Sequence, residues 1–424
     1  MEIERELQRV LTTRELIVPA TDPVGAVHAG MRRRRRTQRV QVLSAGLGIA
    51  GVAIGATLLV NNPQATTPAP PASAGPTSKP PSNLAAVPVG FTAQDLSFVT
   101  TQRGWALGTA PCGASSCTIQ LVTTDGGSSW SRRPALGLPT TCSDAPCVRH
   151  IRFADARVGY AFGPSLFITN DGGSHWSAQS TSPVFGLEIA GGKVSRVVSK
   201  QDGCPGCSFL TQTSNVGSVV WRTAFSSDQP MTSAGLVRFG SRLAAPLFGN
   251  PAGGAGDAHT TVLLSKDGGS TWRSRQDPCS PPSSNALSES DATSLSFGPE
   301  GLLVALCTNR LADPGGTAVR LSTDSGSTFG PARPTPSLAV KVAAVSHDTV
   351  VVEAAAAGRD VLLLTADGGR SWKQVAAQPQ PDGSLGAGFL AFSTPRTGTW
   401  VGADATTVWR TSDGGATWTA HPFR

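Results

Sequence analysis

The residues of this chain that could catalyse a reaction are few and scattered. Beyond residue 90 none of the glutamates has a recognisable acidic partner of the kind that a glycosidase needs. The six histidines show no metal-ligand spacing, so neither a metal nor another cofactor is expected. The four glutamates are Glu188, Glu289, Glu300 and Glu353.

A second set of carboxylates recurs in one local pattern. Each is an aspartate in a stretch such as Thr123-Thr124-Asp125-Gly126-Gly127-Ser128-Ser129-Trp130. The carboxylate can accept backbone N–H bonds across a turn, and the glycines supply positive φ. The closing aromatic residue begins the next strand and buries a large apolar face. The aspartates are Asp125, Asp171, Asp267, Asp324, Asp367 and Asp413, and the closing aromatics are Trp130, Trp176, Trp272, Phe329, Trp372 and Trp418.

The spacing of these aspartates predicts the number of repeats. Most intervals are 43 to 57 residues, but one is 96 residues long and corresponds to two periods. A decayed copy lies near its middle, with Asn215 in place of the aspartate and Trp221 as the closing aromatic. Seven repeats of this length predict an all-β, seven-bladed propeller, with four strands in each blade.

These stretches resemble the Asp-box, or bacterial neuraminidase repeat, of certain β-propellers. The resemblance covers residues 90–424 and includes sialidases, sortilin-type receptors and photosystem II stability and assembly factor-like proteins. It implies that the Asp-boxes lie at the outer edge of the propeller and have a structural role. It is specific for the fold and weakly specific for function.

The residues do not fit a sialidase. Such an enzyme would need a tyrosine nucleophile, three arginines and an Arg-Ile-Pro signature, and it would have six blades. The single tyrosine, Tyr160, occupies the position of Trp105 and Trp400 in other repeats, which indicates a core residue. Six of the nine tryptophans close repeats, so few aromatics remain to stack on a sugar. Enzymatic activity is uncertain, and the residues favour a non-catalytic protein.

Three charged residues coincide when the innermost strands of the repeats are aligned. The position before the aligned apolar residue is Arg152, Glu188 and Arg238 in three adjacent blades. One interpretation is an inter-blade ion-pair network, since buried charges must pair. The other is an axial ligand-binding pocket that includes the neighbouring Arg149 and His150. The aligned apolar residues are Phe98, Phe153, Ile189, Phe239, Phe297, Val345 and Phe392.

The net charge of +7 is concentrated at the N-terminus. Residues 1–39 hold nine arginines against five acidic residues, and the rest of the chain is nearly balanced, so nucleic acid is not an expected partner. Residues 40–60 form a run of 21 residues without a charge, which predicts a transmembrane helix. The preceding arginines predict a cytoplasmic N-terminus and an extracytoplasmic propeller. A cleaved signal peptide is the alternative.

Residues 61–89 are rich in Pro, Ala, Ser and Thr and predict a semi-rigid linker between the helix and the propeller. All eight cysteines follow the predicted helix, on the oxidising side, and their local spacing predicts disulfides. For Cys204 and Cys207 a redox site is the alternative to a hairpin disulfide. The predicted pairs are Cys112–Cys117, Cys142–Cys147, Cys204–Cys207 and Cys279–Cys307.

The sequence therefore predicts a single-pass membrane protein of four parts: a cytoplasmic segment 1–39, a helix 40–60, a linker 61–89 and a propeller 90–424. Its expected function is that of a non-catalytic binding or assembly platform for an envelope protein or glycan. An extracytoplasmic glycan hydrolase or lectin is one alternative. A sensor that signals through residues 1–31 is another. Whether a strand from Val87 to Phe91 closes the ring is left open.

Overall fold

In the computed structural model, the chain forms seven antiparallel sheets arranged as the blades of a β-propeller. The structure describes residues 85–139, 148–180, 182–200, 208–227, 233–249, 259–279, 290–309, 316–380 and 388–424. The prediction of an all-β, seven-bladed propeller is confirmed. The predicted segment 1–39, helix 40–60 and most of linker 61–89 lie outside the described residues. Among the residues that are described, no helix is long and apolar enough to span a bilayer.

Blades 1 to 3 are each built from four consecutive strands, in the order inner to outer. Blade 1 consists of β1 (Thr92–Phe98), β2 (Gly104–Cys112), β3 (Ser115–Thr123) and β4 (Ser131–Arg133). Blade 2 consists of β5 (His150–Phe153), β6 (Gly159–Phe162), β7 (Leu166–Thr169) and β8 (Ser177–Ser180). Blade 3 consists of β9 (Val184–Ala190), β10 (Lys193–Ser199), β11 (Phe209–Asn215) and β12 (Arg222–Ser226).

Blade 4 differs because its inner strand is divided into two short strands that pair with the same neighbour. It consists of β13 (Ser233–Ala234), β14 (Val237–Phe239), β15 (Arg242–Gly249), β16 (His259–Ser265) and β17 (Arg273–Gln276). Blade 5 consists of β18 (Ser290–Phe297), β19 (Leu303–Asn309), β20 (Gly316–Ser322) and β21 (Arg333–Pro334), with a 3₁₀ turn at Pro299–Gly301.

Blades 6 and 7 return to four consecutive strands. Blade 6 consists of β22 (Leu338–Ser346), β23 (Thr349–Ala356), β24 (Arg359–Thr365) and β25 (Lys373–Pro379). Blade 7 consists of β26 (Phe389–Phe392), β27 (Gly398–Val401), β28 (Thr407–Thr411) and β29 (Thr419–Pro422).

The core is divided among the seams between blades, with one cluster of buried apolar residues at each seam. Both faces of a blade are covered by neighbours, so its middle strands are buried along most of their length. At the seam of blades 1 and 2, the rings of Trp105 and Phe153 stack with their centroids 3.7 Å apart. Stacked aromatic pairs of this kind add about 1 kcal/mol beyond the area they bury.

The repeated aspartates organise the turn between the third and fourth strands. The hydroxyl of Thr123 donates to Asp125 Oδ1 at 2.8 Å and accepts the Gly127 N–H at 2.9 Å. The Ser129 N–H also donates to Asp125 Oδ1, at 2.9 Å. Gly126 and Gly127 both have positive φ, of 77° and 92°, as this geometry requires. The same bond from a Thr or Ser hydroxyl to the aspartate is made at Asp171, Asp267, Asp324, Asp367 and Asp413.

Each of these turns also packs against the preceding blade. The indole N–H of Trp105 in blade 1 donates to the Gly172 carbonyl in the turn of blade 2, at 3.0 Å. Ser195 in blade 3 donates to Gly268 in the turn of blade 4, at 3.1 Å. In blade 3, whose turn lacks the aspartate, the Gly217 N–H donates to the Tyr160 hydroxyl at 2.8 Å. Tyr160 is buried, as a core residue would be.

Among the residues that the structure describes, the ring is closed by packing between blades 7 and 1. The sheet of blade 7 there consists of β26, β27, β28 and β29, with no strand exchanged from blade 1. The Ala93 N–H of blade 1 donates to the Ala405 carbonyl of blade 7 at 2.8 Å, and Phe91 packs edge-on against Phe423 at 5.2 Å. The segment before β1 instead bridges to the outer strand of its own blade, through Ala85 and Arg132.

Two of the four predicted disulfides lie in the described residues, and both are formed. Cys112–Cys117 joins the two strands of the β2–β3 hairpin. Cys279–Cys307 joins the segment after β17 to β19, and both of its cysteines are buried in the seam of blades 4 and 5. Cys142–Cys147 and Cys204–Cys207 lie outside the described residues.

Candidate functional site

The candidate site lies on the innermost strands, and their register corrects part of the sequence alignment. In blades 1 and 2, Phe98 and Phe153 pair with the glycines that begin the second strands. Each of these glycines also pairs with the Thr that precedes the turn aspartate by two residues. In blades 4 and 6 the residues paired with that Ser or Thr are Leu243 and Val350. Their partners on the inner strand are Arg238 and Ala344. Arg238 therefore lies one residue later in the register than Arg152 and Glu188.

Arg152 is the centre of a buried ion-pair network that joins three blades. Its Nη1 donates to Asp95 Oδ2 in blade 1 at 2.7 Å, and its Nε donates to Glu188 Oε1 in blade 3 at 2.9 Å. The side chain of Arg152 is fully buried, and both carboxylates are almost so. Asp95 also accepts the Ile151 N–H at 3.0 Å. This network agrees with the ion-pair interpretation of Arg152 and Glu188.

The protonation of these groups follows from burial and from their partners. Burial would raise the pKa of Asp95, but the charge of Arg152 and the hydrogen bond of His150 outweigh it, and the pKa lies below its usual value. Burial raises the pKa of Glu188 above its usual value, although Arg152 and Arg238 lower it. Burial also lowers the pKa of Arg152, but Asp95 and Glu188 raise it more, so Arg152 stays charged.

Arg238 extends the network toward blade 4. It is 2% exposed, and its charge contributes to the pKa of Glu188. Its Nη1 donates to the Gly240 carbonyl at 2.9 Å. The neighbouring Phe239 packs against the seam of blades 4 and 5 and also against the seam of blades 7 and 1. Since those seams lie on opposite sides of the ring, Phe239 lies close to the axis, at the end where the aspartate turns are found.

Arg149 and His150 lie at the other end of the inner strand, where it begins. Arg149 is exposed and His150 is partly buried. The Nδ1 atom of His150 lies 3.3 Å from Asp95 Oδ2, and the imidazole stacks on Phe162 at 5.1 Å. These two residues are the part of the candidate site that solvent or a partner can reach.

A second buried charge cluster, in blade 6, was not predicted from the sequence. The ammonium of Lys341 lies 3.7 Å from Glu353 Oε2 and donates to the Gly388 carbonyl. Burial lowers the pKa of Lys341 and raises the pKa of Glu353. Asp360 accepts the Ala403 N–H at 2.6 Å, and burial raises its pKa. The charge of Asp95 also contributes to the pKa of Lys341 and raises it.

The arrangement is poorly suited to acid–base chemistry. A hydrolase needs one carboxylate that is free to act as a base or nucleophile and a second that donates a proton. Here Arg152 pairs with both Asp95 and Glu188, so neither carboxylate is free. The guanidinium of Arg152 has no acceptor and does not lose its proton, so it cannot act as the acid or the base. Within the described part of the chain, no group of three or more His, Cys, Asp or Glu residues could hold a metal ion.

Solved structures share this fold at low sequence identity. The sequence matches no protein-family model and no curated protein. An ancestral GH74 enzyme is similar over 78% of this chain, with 13% identity and a TM-score of 0.50, and the chain spans 46% of that enzyme. A structure described as YCF48 bound to D1 peptide is similar over 80% of this chain and 96% of its own, with 17% identity and a TM-score of 0.47. A Hadza microbial sialidase is similar over 71% of this chain and 68% of its own, with 14% identity and a TM-score of 0.40. At these identities the likeness shows the fold of a β-propeller alone.

Proposed function

We propose that this protein is an Asp-box propeller that acts as a non-catalytic binding or assembly platform for an envelope protein or glycan. The observation that carries the proposal is the pairing of Arg152 with both Asp95 and Glu188. The ion pairs thereby stabilise the contact of blades 1, 2 and 3 and leave neither Asp95 nor Glu188 free to act as a catalytic carboxylate. The six similar aspartate turns support the assignment to Asp-box propellers.

The binding surface that we propose is the end of the propeller where the inner strands begin. Arg149 is exposed there, and His150 is partly buried beside it. The buried pairs behind them hold His150 in place, because its imidazole contacts both Asp95 and Phe162. A rigid rim with a cationic residue suits a partner that presents a polar or acidic group.

The binding test is cross-linked affinity capture of the full-length protein from its own membrane. The variant Arg149→Glu reverses an exposed charge on the proposed surface, and we expect it to lose the captured partner. The control Arg396→Glu reverses an exposed charge in the β26–β27 hairpin, at the opposite end, and should keep the partner. If glycan turnover were found and Glu188→Gln abolished it, the platform proposal would be wrong.

The proposed location is the outer side of a cell membrane, with residues 40–60 as a single transmembrane helix. The charge-free run of residues 40–60, preceded by five consecutive arginines, supports this topology. We expect the full-length protein to remain in the membrane after alkaline extraction and a variant lacking residues 40–60 to be released. Protease added to intact cells should degrade the propeller and spare a tag placed before residue 1.

A further inference from the structure

A groove on the outer side of the propeller, between blades 4 and 5, is lined by three basic side chains. Its volume is about 260 Å³. Arg273 and Arg275 lie two residues apart on β17 and therefore on the same side of that strand. Lys266 reaches the groove from the aspartate turn of blade 4. The lining residues are Leu264, Lys266, Thr271, Arg273, Arg275 and Ser327.

The equivalent arginine in blade 1 shows how such a side chain can be satisfied within the protein. Thr123 and Ser265 are the hydroxyl residues that donate to the turn aspartates of blades 1 and 4. Arg133 pairs with the residue three before Thr123, and Arg275 pairs with the residue three before Ser265, so the two arginines occupy equivalent positions. The Nη1 atom of Arg133 donates to the carbonyls of Asp171 and Gly172 in the turn of blade 2, at 3.3 and 3.2 Å. Arg275 makes no bond of this kind to the described residues of the blade 5 turn.

The acidic residues nearest the groove are already used by their own turns. Asp267 accepts the Thr271 N–H at 2.9 Å and hydroxyl bonds from Thr271 and Ser265, at 2.7 and 2.9 Å. Asp324 accepts equivalent bonds from Thr328 and Ser322. In the described part of the chain, the side chains of Lys266, Arg273 and Arg275 make no hydrogen bond or ion pair. No acidic side chain lines the groove itself, and the neighbouring Asp267 and Asp324, which these bonds keep ionised, offset only part of its positive charge.

We propose that this groove binds a phosphate group of an envelope ligand. A single arginine is enough to bind one carboxylate in a bidentate pair, so a groove with three cations is better suited to a ligand with more negative charge. A phosphate has more charge and three oxygens, and it can accept bonds from two arginines and a lysine together. The groove is smaller than a pocket for a drug-sized ligand, so it holds the phosphate and leaves the rest of the ligand outside. The site is distinct from the rim at Arg149 and His150.

The test measures binding of phosphate probes to the full-length protein in detergent by titration calorimetry. The probes are inorganic phosphate, a glycerol-phosphate oligomer and acetate. We expect the two phosphate probes to bind, with an affinity that falls as salt is added, and acetate to bind at least ten-fold more weakly. We expect Arg273→Ala/Arg275→Ala to lose at least ten-fold in phosphate affinity, because charge-assisted bonds to two arginines are removed.

The matched control removes the same net charge from the first position of the outer strand in two other blades. Arg222 and Lys373 begin β12 and β25 as Arg273 begins β17, and both are exposed. We expect Arg222→Ala/Lys373→Ala to bind phosphate within two-fold of the wild type. Equal loss in both double variants would show non-specific attraction and overturn the proposal, as would no binding of either phosphate probe or equal binding of acetate.

The source of the phosphate is decided by a further measurement. The wild type and Arg273→Ala/Arg275→Ala are each reconstituted in nanodiscs of neutral lipid. Two competitors for bound inorganic phosphate are then compared: the glycerol-phosphate oligomer, and vesicles of phosphatidylglycerol in phosphatidylcholine. Competition by the oligomer alone assigns a soluble or polymer-borne phosphate. Competition by the vesicles alone assigns a lipid headgroup. If neither competes with inorganic phosphate, the inference that an envelope ligand occupies the groove is wrong.

Discussion

Arg152 is the residue on which the axial charges depend, because it alone contacts both Asp95 and Glu188 among their described partners. Removing it would leave two buried carboxylates without their main counter-charge. We therefore expect Arg152→Ala to reduce the free energy of unfolding by about 3–5 kcal/mol, the usual result of breaking a buried ion pair. Denaturant unfolding of the full-length protein measures this change. The exposed neighbour variant Arg149→Ala should change it by less than about 0.5 kcal/mol.

The aspartate turns make the stability of the propeller sensitive to acid. Hydrogen bonds from Thr417 and Thr411 lower the pKa of Asp413 to about 2, below its value of about 3.9 in an unfolded chain. Because the folded-state pKa is lower, this carboxylate contributes stability above about pH 4, and the contribution is lost as the pH falls through 2. Asp413→Asn should therefore reduce the dependence of unfolding free energy on pH in this window, by up to about one proton.

The measurement for Asp413 is a series of denaturant unfolding curves between pH 5 and pH 2. Asp348→Asn is the control, since Asp348 is an exposed aspartate of the β22–β23 hairpin and not of a repeated turn. We expect that control to keep the slope of the wild type. If Asp413→Asn showed the same dependence of unfolding free energy on pH as the wild type, the turn bonds would not be what holds the carboxylate ionised. Burial acts in the opposite direction on Glu188 and Glu353, whose raised pKa values reduce stability as the pH rises above about 4.5.

At the scale of the element, the second glycine of each turn is needed where the turn approaches the preceding blade. A Cβ atom on Gly326 would lie 2.8 Å from Leu303 Cδ2 and 2.9 Å from Leu264 Cδ1. Gly358, in the β23–β24 hairpin, also has positive φ but has open space around it. Gly326→Ala and Gly358→Ala should share a backbone cost of about 1 kcal/mol. Gly326→Ala should lose about 1–3 kcal/mol more through overpacking.

Thermal and denaturant unfolding of the two glycine variants separate the backbone cost from the packing cost. Equal losses would mean that the seam between blades 4 and 5 adjusts without strain. The same seam contains Leu264, Leu303 and the Cys279–Cys307 disulfide, all buried. Since the disulfide limits relaxation of the strands around the turn, we expect the loss in Gly326→Ala to become smaller after reduction.

At the scale of the whole molecule, the repeat of the aspartates was enough to predict seven blades, because one turn chemistry recurs at one period. The register of the inner strands was harder to predict. Phe239 resembles Phe98 in type, but the hairpin of blade 4 is shorter, and Arg238 takes the place of Phe98 in the pairing. Alignment by residue type cannot detect such a change in hairpin length.

The residues missing from the predicted site lie one step further along the inner strands than the single position that the alignment compared. The register shifts between Ala93 and Asp95 in blade 1 and between Ala339 and Lys341 in blade 6. Both shifts lie before the charged residue, and the pairing is regular from Asp95 to Phe98 and from Lys341 to Ala344. Asp95 and Lys341 are therefore two residues before the position that corresponds to Arg152 and lie on the same face of their strands. An alignment that compared two inward positions in each strand would have included Asp95, but its pairing with Arg152 is shown by the three-dimensional structure.

The closure of the ring leads to a prediction about the whole propeller. Phe423, near the end of the chain, contacts Phe91 at 5.2 Å and Trp130 at 5.3 Å, so it links the outer part of blade 7 to blade 1. Phe423→Ala should lower the free energy of unfolding by about 2 kcal/mol, since the ring is only partly buried. If this seam keeps the ring closed, amide hydrogen exchange should accelerate on both of its sides, in β1–β4 and in β26–β29.

The matched variant is Phe225→Ala, which removes another partly buried phenylalanine, from the outer strand β12 at the seam of blades 3 and 4. It should accelerate exchange in those two blades and leave β1–β4 and β26–β29 protected. If Phe423→Ala accelerated exchange in β29 alone, only that strand would have frayed. The ring would then be kept closed by the Ala93–Ala405 hydrogen bond and the apolar cluster behind it. The comparison thus distinguishes a ring held by its outer aromatic contacts from one held by its inner strands.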